Sequence, residues 1–231
     1  MTANKVNLQP AFVLHSRPYR DTSLLVDLLT MNFGRLTVVA RGARSAKSKI
    51  RGILSPFLPL LVSFSGKNEL RTLQQAEMSG MSYAFSPKVL LSGFYLNELL
   101  TKLLPIHESY PEVYQSYQST LIALTKSLQP EVELRFFEKC LLANLGYGLR
   151  LDQTANHEQV LPEKQYFFEF GHGLKLAKSA SPSNFLGKNL LALHDGCLST
   201  KDELQEAKRL LRGVLAILLG GKKLKSRELF L

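Results

Sequence analysis

The sequence predicts a multidomain α+β protein, because strand-like segments fill its first third and helical patterns fill most of the rest. Five short segments rich in Leu, Val and Phe are separated by turn residues: AFVLHSRPY, SLLVDLLT, GRLTVVARG, PLLVSFSG and LRTLQQAEM. Short strands at near-regular spacing are typical of a small barrel or sandwich. Five strands in about 75 residues favour a barrel of the OB type, which we assign to residues 1–80.

After Ser86 the apolar residues follow the spacing of helices. Pro87, Pro111 and Pro130 each stand where a first helical turn can begin. The predicted helices are SPKVLLSGFYLNELLTKLL, PEVYQSYQSTLIALTKSL and PEVELRFFEKCLLANLG. We therefore expect a mainly helical domain over residues 81–231.

One part of the helical domain has strand character. The segment QYFFEFGHGLKLA alternates around two glycines and predicts a small β-hairpin insertion inside an otherwise irregular region, residues 151–180. A short helix is predicted over 183–193. Thr200 and Glu203 have the spacing of a capping box, which predicts the start of a last long helix.

The distribution of charge indicates an anionic partner. The net charge is +10, with eleven Lys and Arg against four acidic residues in 1–80 and eight against four in 201–231. Residues 81–200 are almost neutral, with ten basic residues against eleven acidic ones. Such asymmetry favours nucleic acid first and a membrane surface second.

The sequence predicts a cytoplasmic, nucleoid-associated protein. Its longest apolar stretch, LLRGVLAILL, is too short to span a bilayer, and the first ten residues do not have the pattern of a secretory signal. Two cysteines, Cys140 and Cys197, lie 57 residues apart and do not predict a disulfide framework.

Motifs of catalysis and metal binding are missing from the sequence. It has no Gly-rich phosphate loop, no nucleophile elbow and no His-Glu-x-x-His pair. A zinc site built from His157, His172, His194 and Cys197 is conceivable, but their spacing favours surface histidines and a core cysteine. We therefore predict a protein that is not an enzyme and that has no metal or cofactor.

The strongest functional signal is a basic segment, GRLTVVARGARSAKSKIRG, with six cations and no acid. Cations at this density bind phosphate by charge, and release of counterions supplies the affinity. The small residues between them suggest a slim, mobile loop; a solvated surface loop is the alternative. The predicted DNA-binding residues are Arg35, Arg41, Arg44, Lys47, Lys49 and Arg51, with a second cluster of Lys222, Lys223 and Lys225. That second cluster could instead complement the negative end of the preceding helix.

Four aromatic residues could stack on unpaired bases, as single-strand binders require. They are Tyr19, Phe33, Phe57 and Phe64. Core packing is the favoured role for Phe57 and Phe64.

Three segments resemble the RecO family of bacterial recombination mediators. They are AFVLHSRPYRDTSLLVDLLTMNFGRLTVVARGARSAKS near the start, LLANLGYGLRLD in the middle and GGKKLKSRELF at the end. The resemblance implies an OB domain followed by a helical domain. It also implies a protein that binds single- and double-stranded DNA, anneals complementary strands, and works with RecR to load RecA onto strands coated by single-strand-binding protein.

The resemblance also bears on metal and partners. Some members have a four-cysteine zinc site after the segment that matches LRLD; this sequence continues with DQTANH and implies a member without zinc. Related members are expected to bind the acidic, Phe-ended tail of single-strand-binding protein in the helical domain. Candidate residues here are Arg135, Phe136, Phe137, Lys139 and Leu141, although core packing explains the apolar ones equally well.

Two other functions remain open at this point. Charge and a barrel are also compatible with an RNA-binding OB protein. An interaction scaffold whose basic loop binds no nucleic acid is the third possibility.

Overall fold

A computed structural model of the chain describes residues 5–66 and 70–228. Contacts divide it into two compact units, which we call unit 1 (Met1–Ser127 with Leu224–Leu231) and unit 2 (Leu128–Lys223). The sequence predicts two independently folding domains, residues 1–80 and 81–231. Those limits stay a prediction.

Unit 1 begins with a closed five-stranded barrel of the OB type, as the sequence predicts. The strand order is β1-β2-β3-β5-β4; β3 and β5 are parallel and the other pairs are antiparallel. The strands are β1 (Lys5–Tyr19), β2 (Ser23–Thr30), β3 (Gly34–Ala40), β4 (Leu60–Ser65) and β5 (Leu70–Met78). Closure pairs both edges of the sheet, and β1 closes it by pairing with β2 on one side and β4 on the other.

The alternation of side chains along β3 explains how the barrel is filled. Leu36, Val38 and Ala40 are buried in the barrel core, while Arg35, Thr37 and Val39 between them are half-buried. This period of two is what a strand with one buried face requires. β3 therefore ends at the core-facing Ala40, and the basic segment leaves the barrel from that point.

Two helices complete the larger part of unit 1, α1 (Pro87–Leu103) and α2 (Pro111–Leu124). Asn97 of α1 is buried and donates to the Leu14 carbonyl of β1 at 3.0 Å, and it accepts from the Tyr117 hydroxyl of α2 at 2.5 Å. A buried amide with both partners satisfied fixes the geometry of the elements it joins. Asn97 thereby ties both helices to the barrel.

Unit 2 contains the third predicted helix and the predicted hairpin. Its elements are α3 (Pro130–Asn144), β6 (Gln165–Glu169), β7 (Gly173–Leu176), β8 (Phe185–Leu186), α4 (Gly187–Asp195) and α5 (Lys201–Leu218). The three strands form a small sheet with the order β7-β6-β8. At the start of α5, Thr200 and Glu203 form the predicted capping box, with Thr200 Oγ1 accepting from the Glu203 amide at 3.3 Å.

The chain then returns to unit 1 with a single helical turn, α6 (Lys225–Glu228). Glu98 of α1 accepts hydrogen bonds from the amides of Lys225 and Ser226 at 3.0 and 2.8 Å and from the Ser226 hydroxyl at 2.7 Å. The final motif of the sequence continues into Leu229 and Phe230, which lie outside the described residues.

Candidate nucleic-acid interface

The basic segment includes β3 and continues into the connection between β3 and β4, residues 41–59, which we call the basic loop. It is a series of turns, with hydrogen bonds that join Ser45 to Gly42 and Ser48 to Ser45. Its apolar residues pack on the barrel: Ala43 is fully buried and Leu54 is 4% exposed. Burial of these apolar side chains anchors the loop to the barrel at several points, and the mobility expected of it stays a prediction.

The apolar residues of the loop are buried, and its charged side chains are exposed to solvent. Arg41, Arg44, Lys47, Lys49 and Arg51 are all exposed. No Asp or Glu occurs within residues 41–59. Five exposed cations without a compensating acid on one loop form a positive surface.

Arg35 is in a different environment from the other five predicted cations. It is half-buried, and its Nε donates to the Leu104 carbonyl at 3.0 Å. Burial lowers the pKa of Arg35, and the charge of Asp27 partly offsets that effect. Arg35 thus links β3 to the segment after α1.

The turn between β1 and β2 lies beside the basic loop and adds to it. The Arg44 amide donates to the Thr22 carbonyl at 2.8 Å, and Arg44 Nη1 donates to the Arg20 carbonyl at 3.3 Å. Arg17 and Arg20 are both exposed, and the Arg20 guanidinium lies 5.2 Å from the centre of the Tyr19 ring. The candidate interface therefore includes Arg17, Arg20 and Tyr19.

Sequence reasoning singled out Tyr19 but missed the two arginines. The segment SRPYRD contains Arg17 and Arg20 within a short span, but Asp21 interrupts its positive charge. The hydrogen bonds from Arg44 and the pairing of Leu24 with Ala40 show that this turn and the basic loop are neighbours.

The other aromatic candidates do not place an exposed ring on the basic loop. Phe57 and Phe64 are 5% and 0% exposed, in agreement with their favoured role as core residues. Phe33 packs edge-on against Phe64 at 5.7 Å, near the start of β3, whereas the loop leaves from the end of that strand. The guanidinium of Arg71 lies 5.9 Å from the Phe33 ring centre.

The second basic cluster comes late in the chain, where the sequence passes from unit 2 to unit 1. Lys222, Lys223 and Lys225 are exposed, with the first two in unit 2 and the third in unit 1. Glu98 is bound to the backbone of this segment. Burial raises the pKa of Glu98, but hydrogen bonds from Ser226 and Lys225 and the charge of Lys102 outweigh it, so the pKa lies below its usual value.

The candidate tail-docking residues lie on α3, and three of the five are buried. Phe137 and Leu141 are 1% and 0% exposed, and Arg135 is 4% exposed and forms a 2.7 Å ion pair with the buried Glu138. Phe136 and Lys139 are half-buried. Lys139 donates to the Leu193 carbonyl at 3.0 Å and to that of His194, at the end of α4. Burial lowers the pKa of Lys139, with Asp195 acting in the opposite direction.

The described residues show neither a metal cluster nor a membrane-spanning helix. Within residues 5–66 and 70–228, no group of three or more His, Cys, Asp or Glu side chains is placed to bind a metal ion. No helix in the same residues has the length and apolarity needed to cross a membrane.

Two family models together match almost the whole chain. The family described as recombination protein O, N terminal, matches residues 5–81, and the family described as recombination protein O, C terminal, matches residues 85–228. The chain belongs to the RecO family. Its relatives include proteins named DNA repair protein RecO from Coxiella burnetii (46% identical, covering 97% of this chain and 98% of the relative) and Methylococcus capsulatus (42%, covering 98% and 94%). A protein of the same name from Aliivibrio fischeri is 40% identical and covers 97% and 95%.

Membership in the RecO family connects the chain with DNA repair and recombination. The two family matches meet between residues 81 and 85, where the barrel strands end and α1 is about to begin.

Proposed function

We propose that this RecO-family protein binds single- and double-stranded DNA and anneals complementary strands. The basic loop carries the proposal, because five exposed cations without an acid are held in place by buried apolar residues of the same loop. Counterion release at such a surface gives affinity for the phosphate backbone with little dependence on base sequence. Arg17, Arg20 and Tyr19 extend the surface along the neighbouring turn.

The charges of the two units support the same assignment. Unit 1 contains 16 of the 29 Lys and Arg residues against eight acidic residues, whereas unit 2 contains 13 against eleven. The larger positive excess therefore belongs to the unit that contains the basic loop.

Annealing by such a surface requires no catalytic residue. Two complementary strands repel each other through their phosphates, and a cationic surface that neutralises both raises the rate at which they meet. We accordingly propose a mediator rather than an enzyme: it acts with RecR and helps load RecA onto strands coated by single-strand-binding protein.

We further propose that unit 2 binds the acidic, Phe-ended tail of single-strand-binding protein. Of the five α3 candidates, Phe136 and Lys139 retain accessible surface. Docking at these two positions requires neither opening the core around Phe137 and Leu141 nor breaking the buried ion pair of Arg135 and Glu138.

The proposed DNA interface is tested by replacing four exposed loop cations, Arg41, Arg44, Lys47 and Lys49, with Ala together. We expect affinity for single-stranded DNA to fall by at least about tenfold, and the slope of log K against log salt concentration to shrink by about two to three. Both are measured by fluorescence anisotropy over a series of salt concentrations.

A charge-matched control separates a specific interface from net charge. The control replaces four exposed lysines of unit 2, Lys164, Lys178, Lys188 and Lys201, with Ala. Both variants lower the formal net charge from +10 to +6. Equal loss of affinity in the two variants, or no loss in the loop variant, would contradict the assignment of the interface to the basic loop. Comparing DNA with RNA of the same sequence in the same assay tests the RNA-binding alternative.

A further inference from the structure

A cavity of about 390 Å³ lies within unit 2, between the chain that follows α3 and the β6–β7 hairpin. Residues 146–150 line one side, residues 168 and 170–174 line another, and the loop around 153–157 completes it. This volume falls in the range of known small-molecule pockets, about 300–1,000 Å³. None of the residues proposed above for DNA or tail binding lines the cavity.

Two aromatic rings at the cavity form a platform. Tyr147 and Phe170 have ring centres 5.8 Å apart and planes inclined by 26°, which is an offset stack. Tyr147 is nevertheless 45% exposed, so its ring is held by Phe170 but is not covered by protein. Proteins that bind single strands use a fixed, accessible ring of this kind to stack a base.

One arginine and two histidines line the cavity around the platform. Arg150, His157 and His172 line the cavity, and no lining residue is Asp or Glu. The nearby acid of the hairpin, Glu169, is hydrogen-bonded to Lys175, which compensates its charge. This combination of aromatic and basic residues suits a base with its adjoining phosphate.

The hairpin turn leaves room for such a ligand. Gly171 and Gly173 have φ angles of +82° and +90°, and a Cβ on either one would meet no heavy atom within 4 Å. The backbone can therefore bend around the cavity mouth without a side chain that obstructs it.

We propose that this cavity binds an unstacked base of single-stranded DNA, with the base on Tyr147 and its phosphate at Arg150 and His172. The inference rests on the proposed DNA-binding function and adds to it a contact that distinguishes single strands from duplex. A fully paired duplex offers no free base face to Tyr147, so only single strands use the cavity.

The test is a Tyr147→Ala substitution in the full chain, with affinities measured for an oligothymidine and for a duplex of equal length. We expect single-strand affinity to fall about tenfold and duplex affinity to stay within about twofold. Tyr147→Phe keeps the ring and should retain single-strand affinity. Phe167→Ala, which removes an exposed aromatic residue of β6 outside the cavity lining, should also leave it unchanged.

Arg150→Gln and crosslinking locate the contact within the cavity. We expect Arg150→Gln to reduce the salt slope for single strands by about one, and 5-iodouracil in the oligonucleotide to crosslink to Tyr147. Unchanged single-strand affinity in Tyr147→Ala, or an equal loss for duplex, overturns the inference. If the loop variant still loses DNA affinity in that case, the proposed function stands without the cavity.

Discussion

Gly34 shows at the scale of one residue how unit 1 is held together. It has φ +63°, and a Cβ built on it would lie 1.7 Å from the carbonyl oxygen of Glu108. The start of β3 can therefore approach the segment after α1 only because position 34 has no side chain. The hydrogen bond from Arg35 Nε to Leu104 depends on the same approach.

We predict that Gly34→Ala lowers the free energy of unfolding by about 3 kcal/mol or more, from a strained backbone plus a backbone clash. Gly42→Ala is the matched control: its φ is +68°, but its added Cβ would meet nothing within 4 Å. The control should cost only about 1 kcal/mol. Urea denaturation measures both, and equal costs would contradict the close approach of Gly34 and Glu108.

Glu98 is the second residue on which local structure depends, because its carboxylate binds the start of α6. Glu98→Gln should weaken that contact by about 1 kcal/mol, since hydrogen bonds to a charged acceptor are stronger than those to a neutral one. Hydrogen exchange should then rise at the amides of Lys225 and Ser226. Glu163→Gln, which changes an exposed acid in unit 2, is the control and should leave that exchange unchanged.

The pH dependence of this contact follows from the direction of the pKa shift. The pKa of Glu98 is lower in the folded protein, so its contribution to stability is fully present above the ordinary pKa of a free glutamate. The contribution is lost as pH falls through the lowered folded value. The protection of residues 225 and 226 should therefore decline on acidification in the wild type and change less in Glu98→Gln.

At the scale of elements, α3 offers the most direct test of a protein partner. We predict that Phe136→Ala weakens binding of a peptide from the single-strand-binding protein tail by about fivefold to tenfold, through loss of an accessible aromatic contact. Phe167→Ala, an exposed aromatic residue of the same unit, should have no effect. Isothermal titration calorimetry measures both; tail binding that survives in Phe136→Ala would exclude docking at that position.

The elements also show which features a sequence can predict. All five barrel strands follow from short segments rich in Leu, Val and Phe between turn residues, and α1, α3 and α5 follow from Pro at the first turn or from a capping box. β8 has only two residues and exists because Phe185 and Leu186 pair with β6 some twenty positions earlier. Local periodicity cannot reveal a strand of that length.

Local sequence patterns also do not predict where α2 ends or how the basic loop packs on the barrel. The helix stops at Leu124, four residues before the predicted end, and the Thr125 hydroxyl donates to the Ile122 carbonyl at 2.7 Å where the turn begins. The basic loop reads as flexible from its small residues, yet Ala43 and Leu54 are buried against strands distant in sequence. The sequence shows the high density of cations. It does not show that buried apolar residues anchor the loop to the barrel, or that Arg20 lies beside it.

At the scale of the whole molecule, the two units differ both in fold and in net charge. Unit 1 combines the barrel, the basic loop and most of the positive excess, and unit 2 combines a nearly neutral helical region with the candidate tail site and the aromatic cavity. We infer that the main affinity for DNA arises in unit 1, while unit 2 supplies contacts with protein and with unpaired bases.

Annealing of complementary strands tests the central claim most directly. Two complementary oligonucleotides, each with a fluorescent label, report annealing by energy transfer between the labels. The assay compares the wild type, the four-cation loop variant and the charge-matched unit 2 variant, each with and without single-strand-binding protein. The account predicts at least about a tenfold slower annealing in the loop variant, little change in the control, and convergence of all three at high salt. Annealing in the loop variant as fast as in the wild type at low salt would contradict it.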